Sequence, residues 1–267
     1  MNAYLSIWKL RFITGLQYRA AAYAGMVTQL FFGLVFIMIF VAFYRNGAQD
    51  QPMSLQDVVS YIWLQQVFLS FIMLWFRDNE IFQLITGGNI AYELCRPCGI
   101  YEFWFAKLLA QRVSSAALRA VPILVIAFLL PKAYQLRLPP SLATGALFLA
   151  ALVLGLLIIV SVSMLIYISV FWTMSPTGST LLFAVVGEFF AGLVIPVPLM
   201  PAWLQRVASA LPFRWSADFP FRVYSEQIPR AEALWGILIQ LGWLAVLLGF
   251  GRWALNRALR QVVVQGG

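Results

Sequence analysis

Few side chains in this sequence can do chemistry, and most of those fall in one place. Glu93, Arg96, Glu102, Lys107 and Arg112 lie within the 26 residues Gly87–Arg112, which also hold Cys95-Arg96-Pro97-Cys98. A C-x-x-C can be a redox-active dithiol or half of a zinc site. Zinc needs two more ligands, and the sequence has no histidine and no other cysteine. No βαβ pattern surrounds the pair, so it reads as two small residues in a reducing compartment. The other isolated group is Glu188, inside a long apolar run. A carboxyl group there costs about 2.5–3.5 kcal/mol, so it faces protein or water rather than lipid. It can line a translocation path and meet a cationic substrate. It can equally be a neutral carboxyl bonded to a neighbouring helix or a partner chain, and the flanking Gly187 and Gly192 permit close helix approach. Without histidine, and with no second acid in a confident span, an intramembrane enzyme lacks its acid–base pair.

The polar island is framed by chain breakers. Gly87-Gly88 and Pro97-Cys98-Gly99 leave room for one short helix over Asn89–Leu94, too brief to persist unless it docks on something. Asn89, Tyr92, Glu93 and Arg96 can bond across an interface, and Arg96 can pair bidentately with a carboxylate. That makes the island either a solvated loop or a docking element for a soluble partner. A second, amphipathic helix follows from Tyr101, with Trp104, Phe105, Leu108 and Leu109 on its apolar stripe and Glu102, Lys107 and Gln111 off it. Its expected position is the membrane interface.

The rest of the chain is a membrane protein. Hydrophobic residues make up 62% and charged residues 10% of the 267 residues, with mean hydropathy +0.85. A soluble domain carries about a quarter charged residues. The pattern predicts an all-α protein with six spans, at about 20–44, 58–76, 113–130, 142–172, 179–195 and 233–251, within a single domain. An interfacial helix precedes the first span, and Trp63 and Trp75 read as interface anchors of the second. Arg119 sits near enough to a span end to snorkel.

Six spans put both termini on one side. Eleven of the 18 basic residues fall at the amino end, around the island and in the tail, so these are read as cytoplasmic. That places Gln49 outside the cell and Gln261 inside. The net charge of +8 is accounted for by this bias and by anionic headgroups, with no need of nucleic acid. The two halves share no repeat, which argues against an inverted-repeat secondary transporter. No G-x-x-x-x-G-K-[ST] occurs to cradle a nucleotide.

Two segments resemble ABC-2 type exporter permeases. Gly88-Asn89-Ile90-Ala91-Tyr92-Glu93-Leu94-Cys95-Arg96-Pro97 resembles the cytoplasmic coupling segment between spans 2 and 3, with Cys95 where an aliphatic residue is common. More specific is Gly192-Leu193-Val194-Ile195-Pro196, then Leu199-Met200-Pro201-Ala202-Trp203-Leu204, then Leu211-Pro212, which is similar to the family's G-x-x-x-P…L-P-x-W-L…P. The resemblance covers the whole chain as a six-span plan. It implies an outward-facing, partly re-entrant segment over Pro196–Pro212, carrying Gly192, Pro196, Pro201, Trp203 and Pro212. It also implies a permease without catalytic residues or cofactor of its own, in the cytoplasmic membrane. A separate ABC ATPase would bind ATP and magnesium, and a second identical or related permease would complete the exporter. The family's substrates range over drugs, antimicrobial peptides, lipids and glycans. An ion-coupled secondary transporter using Glu188 is the competing reading.

Overall fold

The computed structural model describes residues 3–17, 19–46, 51–75 and 77–261, and among them every regular element is helical. Helix α1 (Ala3–Gln17) leads into α2 (Arg19–Asn46), and α3 (Leu55–Val67) and α4 (Leu69–Ile72) follow. Two short helices, α5 (Asn79–Thr86) and α6 (Ala91–Leu94), precede the long α7 (Ile100–Leu129). Next come α8 (Leu142–Thr173) and α9 (Pro176–Phe190), the short α10 (Ala202–Ser209) and α11 (Asp218–Tyr224), and finally α12 (Arg230–Leu259). Four of these, α2, α7, α8 and α12, are long and apolar enough to cross a membrane.

Helix α8 is the axis. It is apolar on every face, and such a helix is stable only when surrounded. Accordingly Ile158, Ile159, Val160, Met164 and Ile168 are buried, with α4, α5, α7, α9, α11 and α12 packed around it. Ser141 caps its start by accepting from the Thr144 backbone N–H at 3.1 Å, and Met174 ends it in a left-handed conformation.

The loops gather in two layers. In one, Arg252 of α12 meets Glu102 of α7 at 2.8 Å, and the Trp172 indole donates to Gln261 at 2.9 Å. In the other, Tyr44 donates to the Met53 carbonyl, Trp63 to that of Tyr134 and Tyr224 to that of Arg137, at 2.7–2.8 Å. Arg230 joins this second layer through Ser141 at 2.9 Å.

Several expectations are corrected. The stretch 58–76 is not one continuous helix: α3 stops at Phe68, α4 at Met73, and Met73 is extended. Carbonyl groups freed inside packed helices need partners within the protein. Arg112 of α7 supplies them, donating to Ser70, Phe71 and Met73 at 3.3, 3.1 and 2.8 Å and to the Ser163 hydroxyl at 2.8 Å. Trp63 is fully buried rather than an interface anchor. The interfacial helix from Tyr101 and the span at 113–130 are one helix, α7, because no breaker intervenes before Pro122, which the helix accommodates. Helix α9 has 15 residues, about 22 Å, shorter than the span expected at 179–195, and the residues after Phe190 are irregular. Arg252 and Arg257 belong to α12 rather than to a tail. Gln49 and the end of the second span at Phe76 lie outside the described residues.

Candidate functional site

The polar island is built on α5. Asp78 caps it, accepting from the backbone N–H groups of Glu80 and Ile81 at 3.0 and 3.4 Å, while its own N–H donates to the Tyr167 hydroxyl at 2.7 Å. The apolar side of α5 buries Ile81, Phe82 and Ile85, with Phe82 against the Tyr167 ring at 4.5 Å between centroids. Lys107 is buried rather than interfacial. Its ammonium group stands 3.1 Å from Asp78 and 2.9 Å from Glu80, and Arg11 of α1 also pairs with Glu80. Burial pushes the Glu80 carboxyl up, but hydrogen bonds and attraction from Lys107 and Arg11 outweigh it and hold it below the usual carboxylate range.

Beyond α5 the chain turns at Gly88, whose φ of +72° suits glycine, and enters α6. The structure divides the four sequence-selected residues. Asn89, Tyr92 and Arg96 are exposed, Tyr92 at 73%, with Leu94 beside them at 48%. Glu93 points inward at 5% exposure. It pairs with Arg96 at 3.0 Å and accepts from the Trp104 indole at 3.4 Å, while Arg96 lies 4.7 Å over the Phe103 ring. A four-residue helix cannot persist alone; here one buried carboxylate fastens it to α7. Cys95 is exposed and Cys98 half-buried, both as free thiols.

The opposite layer holds a second short-helix assembly. Gly192, at φ +81°, turns the chain out of α9, and its carbonyl accepts from Tyr61 at 3.1 Å. Pro196 starts a 3-10 turn over Val197–Leu199, Pro201 starts α10, and Pro212 follows it in a buried position. Trp203 is 66% exposed on α10. The fully buried Asp218 of α11 binds this segment together. It accepts from the Val197 N–H at 3.2 Å and from Tyr61 at 3.4 Å, with Arg214 at 3.3 Å and Arg222 at 3.7 Å. Glu188, in the last turn of α9, faces the Leu74 N–H and the Trp75 indole just past the broken α4, and its Oε1 has no hydrogen-bond partner among the described residues. A Cβ on the adjacent Gly187 would meet Leu74 Cδ1 at 2.5 Å, so glycine there lets the two segments touch.

A family model described as ABC-2 family transporter protein matches residues 23–266. The chain belongs to this family. No curated protein and no solved structure matches it. An ABC-2 family chain is a membrane component of a transporter, which agrees with the apolar helices and makes this a multi-pass membrane protein.

In this ABC-2 chain, the organising roles of several residues escaped the sequence reading. Asp78-Asn79-Glu80 ahead of Ile81, Phe82 and Ile85 is a helix-start signal that identifies α5. Arg214, Asp218 and Arg222 stand at i, i+4 and i+8, a spacing that pairs charges on a helix face. Lys107 and Arg112 carried no comparable signal, since their partners lie 27 to 51 residues away.

Proposed function

We propose that this chain is the permease subunit of an ATP-driven exporter, coupled to a separate ABC ATPase through the island at α5 and α6. The observation that carries the reading is the exposed face of α6. Asn89, Tyr92, Leu94 and Arg96 are presented to solvent by a helix whose buried side is fixed to α7, in the same layer as the end of α12. A surface that transmits work must be exposed to its partner and rigidly joined to the spans, and α6 meets both conditions. ATP and magnesium would be held by the ATPase, since this sequence has no phosphate-cradling loop of its own.

The chain crosses the membrane six times in this reading, through α2, the broken α3–α4, α7, α8, α9 with the residues after it, and α12. The two loop layers support it, because successive helices connect opposite layers. The basic bias puts the island, and with it both termini, on the cytoplasmic side, and Pro196–Pro212 outside. Exposed apolar residues on α2 (Tyr23, Val27, Phe31) and α9 (Leu181, Leu182, Val185) suit lipid and a second permease, identical or related. Glu188 has neighbours within its own chain, which favours a structural role over ion coupling. The test is co-expression with the cognate ATPase: Tyr92→Ala combined with Asn89→Ala should abolish co-purification and substrate-stimulated hydrolysis while the permease stays folded. Transport that collapses with an ionophore in vesicles supplied with ATP would instead support ion coupling.

A further inference from the structure

Between α1, α2 and α7 lies a cleft of ≈ 190 Å³ that the proposed function does not use. Small residues open it: Gly15 of α1 and Ala21 and Ala22 of α2. Its α7 side is polar, with Gln111, Ser115 and Arg119. Arg119 is the unusual member. Among the described residues it has no ion-pair or hydrogen-bond partner, its Nε is buried without one, and no Asp or Glu lines the cleft. The side-chain amide of Gln111 likewise makes no hydrogen bond among the described residues, and the Ser115 hydroxyl reaches only Ser70, at 3.3 Å.

The backbone makes room for the guanidinium. A Cβ at Gly25 would sit 2.7 Å from Arg119 Cζ, so the guanidinium lies against α2 at a glycine, where any side chain would push it aside. Gly25 is six residues into α2, about 9 Å along its axis, which sets this pair within the leaflet on the island's side. A guanidinium without a counter-charge is costly at such a depth. A phosphate group fits the arrangement: the guanidinium offers forked donors, and the Gln111 amide offers further ones. Leu118 lines the same cleft, and Val121 and Val125 follow it on α7 as exposed apolar residues along which an acyl chain can run.

We propose that this cleft is a binding site for the headgroup phosphate of an anionic phospholipid, with Arg119 as its principal contact. Basic pockets between spans on the cytoplasmic side are suited to such headgroups. Bound there, the lipid would join α1 to α2 and α7 and so fix the position of the helix that carries Arg11 to the island.

The test uses the full-length chain in mild detergent, followed by native mass spectrometry and thermal unfolding. Three probes are added separately: dioleoylphosphatidylglycerol, dioleoylphosphatidylcholine and sodium phosphate. The wild type should retain phosphatidylglycerol about tenfold better than phosphatidylcholine and unfold at a higher temperature with it. Arg119→Gln should lose that selectivity and Arg119→Lys keep part of it, whereas Arg137→Gln, at the opposite layer, should behave as wild type. Should Arg119→Gln fail to fold, Ser115→Leu fills the cleft while leaving the arginine, and the same loss is expected. Equal retention of the two lipids by the wild type, or undiminished selectivity in Arg119→Gln or Ser115→Leu, overturns the proposal. Stabilisation of the wild type by sodium phosphate alone, without phosphatidylglycerol selectivity, also overturns it and identifies a soluble anion as the ligand.

Discussion

The two loop layers of this chain fix short helices in opposite ways. In the layer that holds Pro196–Pro212 one carboxylate, Asp218, is fully buried and holds the Val197 N–H, Tyr61 and two arginines at once. It closes a 21-residue separation and locks Pro196–Pro212 to α3 and α11. In the island the charges are dispersed. Asp78 and Glu80 share Lys107, Glu80 also takes Arg11 and Glu93 takes Arg96, and Glu80 and Arg96 remain about half-exposed. The first arrangement makes a rigid plug. The second makes a surface that is anchored underneath and open on top, which is what docking requires.

The largest expected effect is therefore at Asp218. Asp218→Ala leaves Arg214 and Arg222 without their shared counter-charge and frees the Val197 N–H. Removing one partner of a buried ionic group costs about 3–5 kcal/mol. The variant should lose folded protein in detergent, measured by thermal unfolding, and Asp218→Asn should recover part of the loss by keeping the neutral hydrogen bonds. A wild-type unfolding midpoint for Asp218→Ala would show that the plug is held by its apolar contacts instead.

Lys107→Met comes next, at about 2–3 kcal/mol, because Asp78 is buried and loses its only cation among the described residues while Glu80 can turn to water. Adding Asp78→Asn to Lys107→Met should restore part of the stability, whereas an unimproved double variant would break the assignment of that pair. This reverses the order expected from the sequence alone, where Lys107 looked like an exposed interfacial residue.

That reversal shows what was legible. The long apolar runs gave α2, α8 and α12 within a few residues at most ends, and the breakers at Gly87-Gly88 and Pro97-Cys98-Gly99 correctly framed a very short α6. Proline and glycine spacing marked the irregular segment Pro196–Pro212, where a 3-10 turn and the short α10 replace a long helix. What stayed hidden were interactions between distant elements. The break after α3 is stable because Arg112, some 40 residues later, occupies the freed carbonyls. Glu93 and Tyr92 are adjacent in sequence, yet they point to opposite sides of α6, and a helix of one turn has no periodicity from which to read that.

A smaller effect is expected from pH. Glu80 ionises below the usual carboxylate range in the folded chain, so its pairing with Lys107 and Arg11 contributes fully above that range. The contribution is lost as pH falls through the lowered value. Unfolding midpoints should drop between pH 5 and pH 3 by slightly more in the wild type than in Glu80→Gln, and parallel curves would remove Glu80 from the island's ionic support.

The smallest effect on folding, and the most informative about function, concerns α6 itself. The Tyr92 side chain is exposed and makes no hydrogen bond among the described residues, so Tyr92→Ala should shift unfolding by less than about 0.5 kcal/mol. Glu93→Ala is different, because it frees Arg96 and the Trp104 indole and detaches α6 from α7; it should cost about 1–3 kcal/mol and make the island mobile. Both variants should weaken association with the ATPase, but for separable reasons. Tyr92→Ala removes contact from a helix that is still in place, so added ATPase at high concentration should restore hydrolysis coupled to transport. Glu93→Ala disconnects the helix from the spans, so saturating ATPase should restore binding without restoring coupling. If Tyr92→Ala and Asn89→Ala bind and couple as the wild type does, then α6 is not the docking surface, whatever the fate of Glu93→Ala.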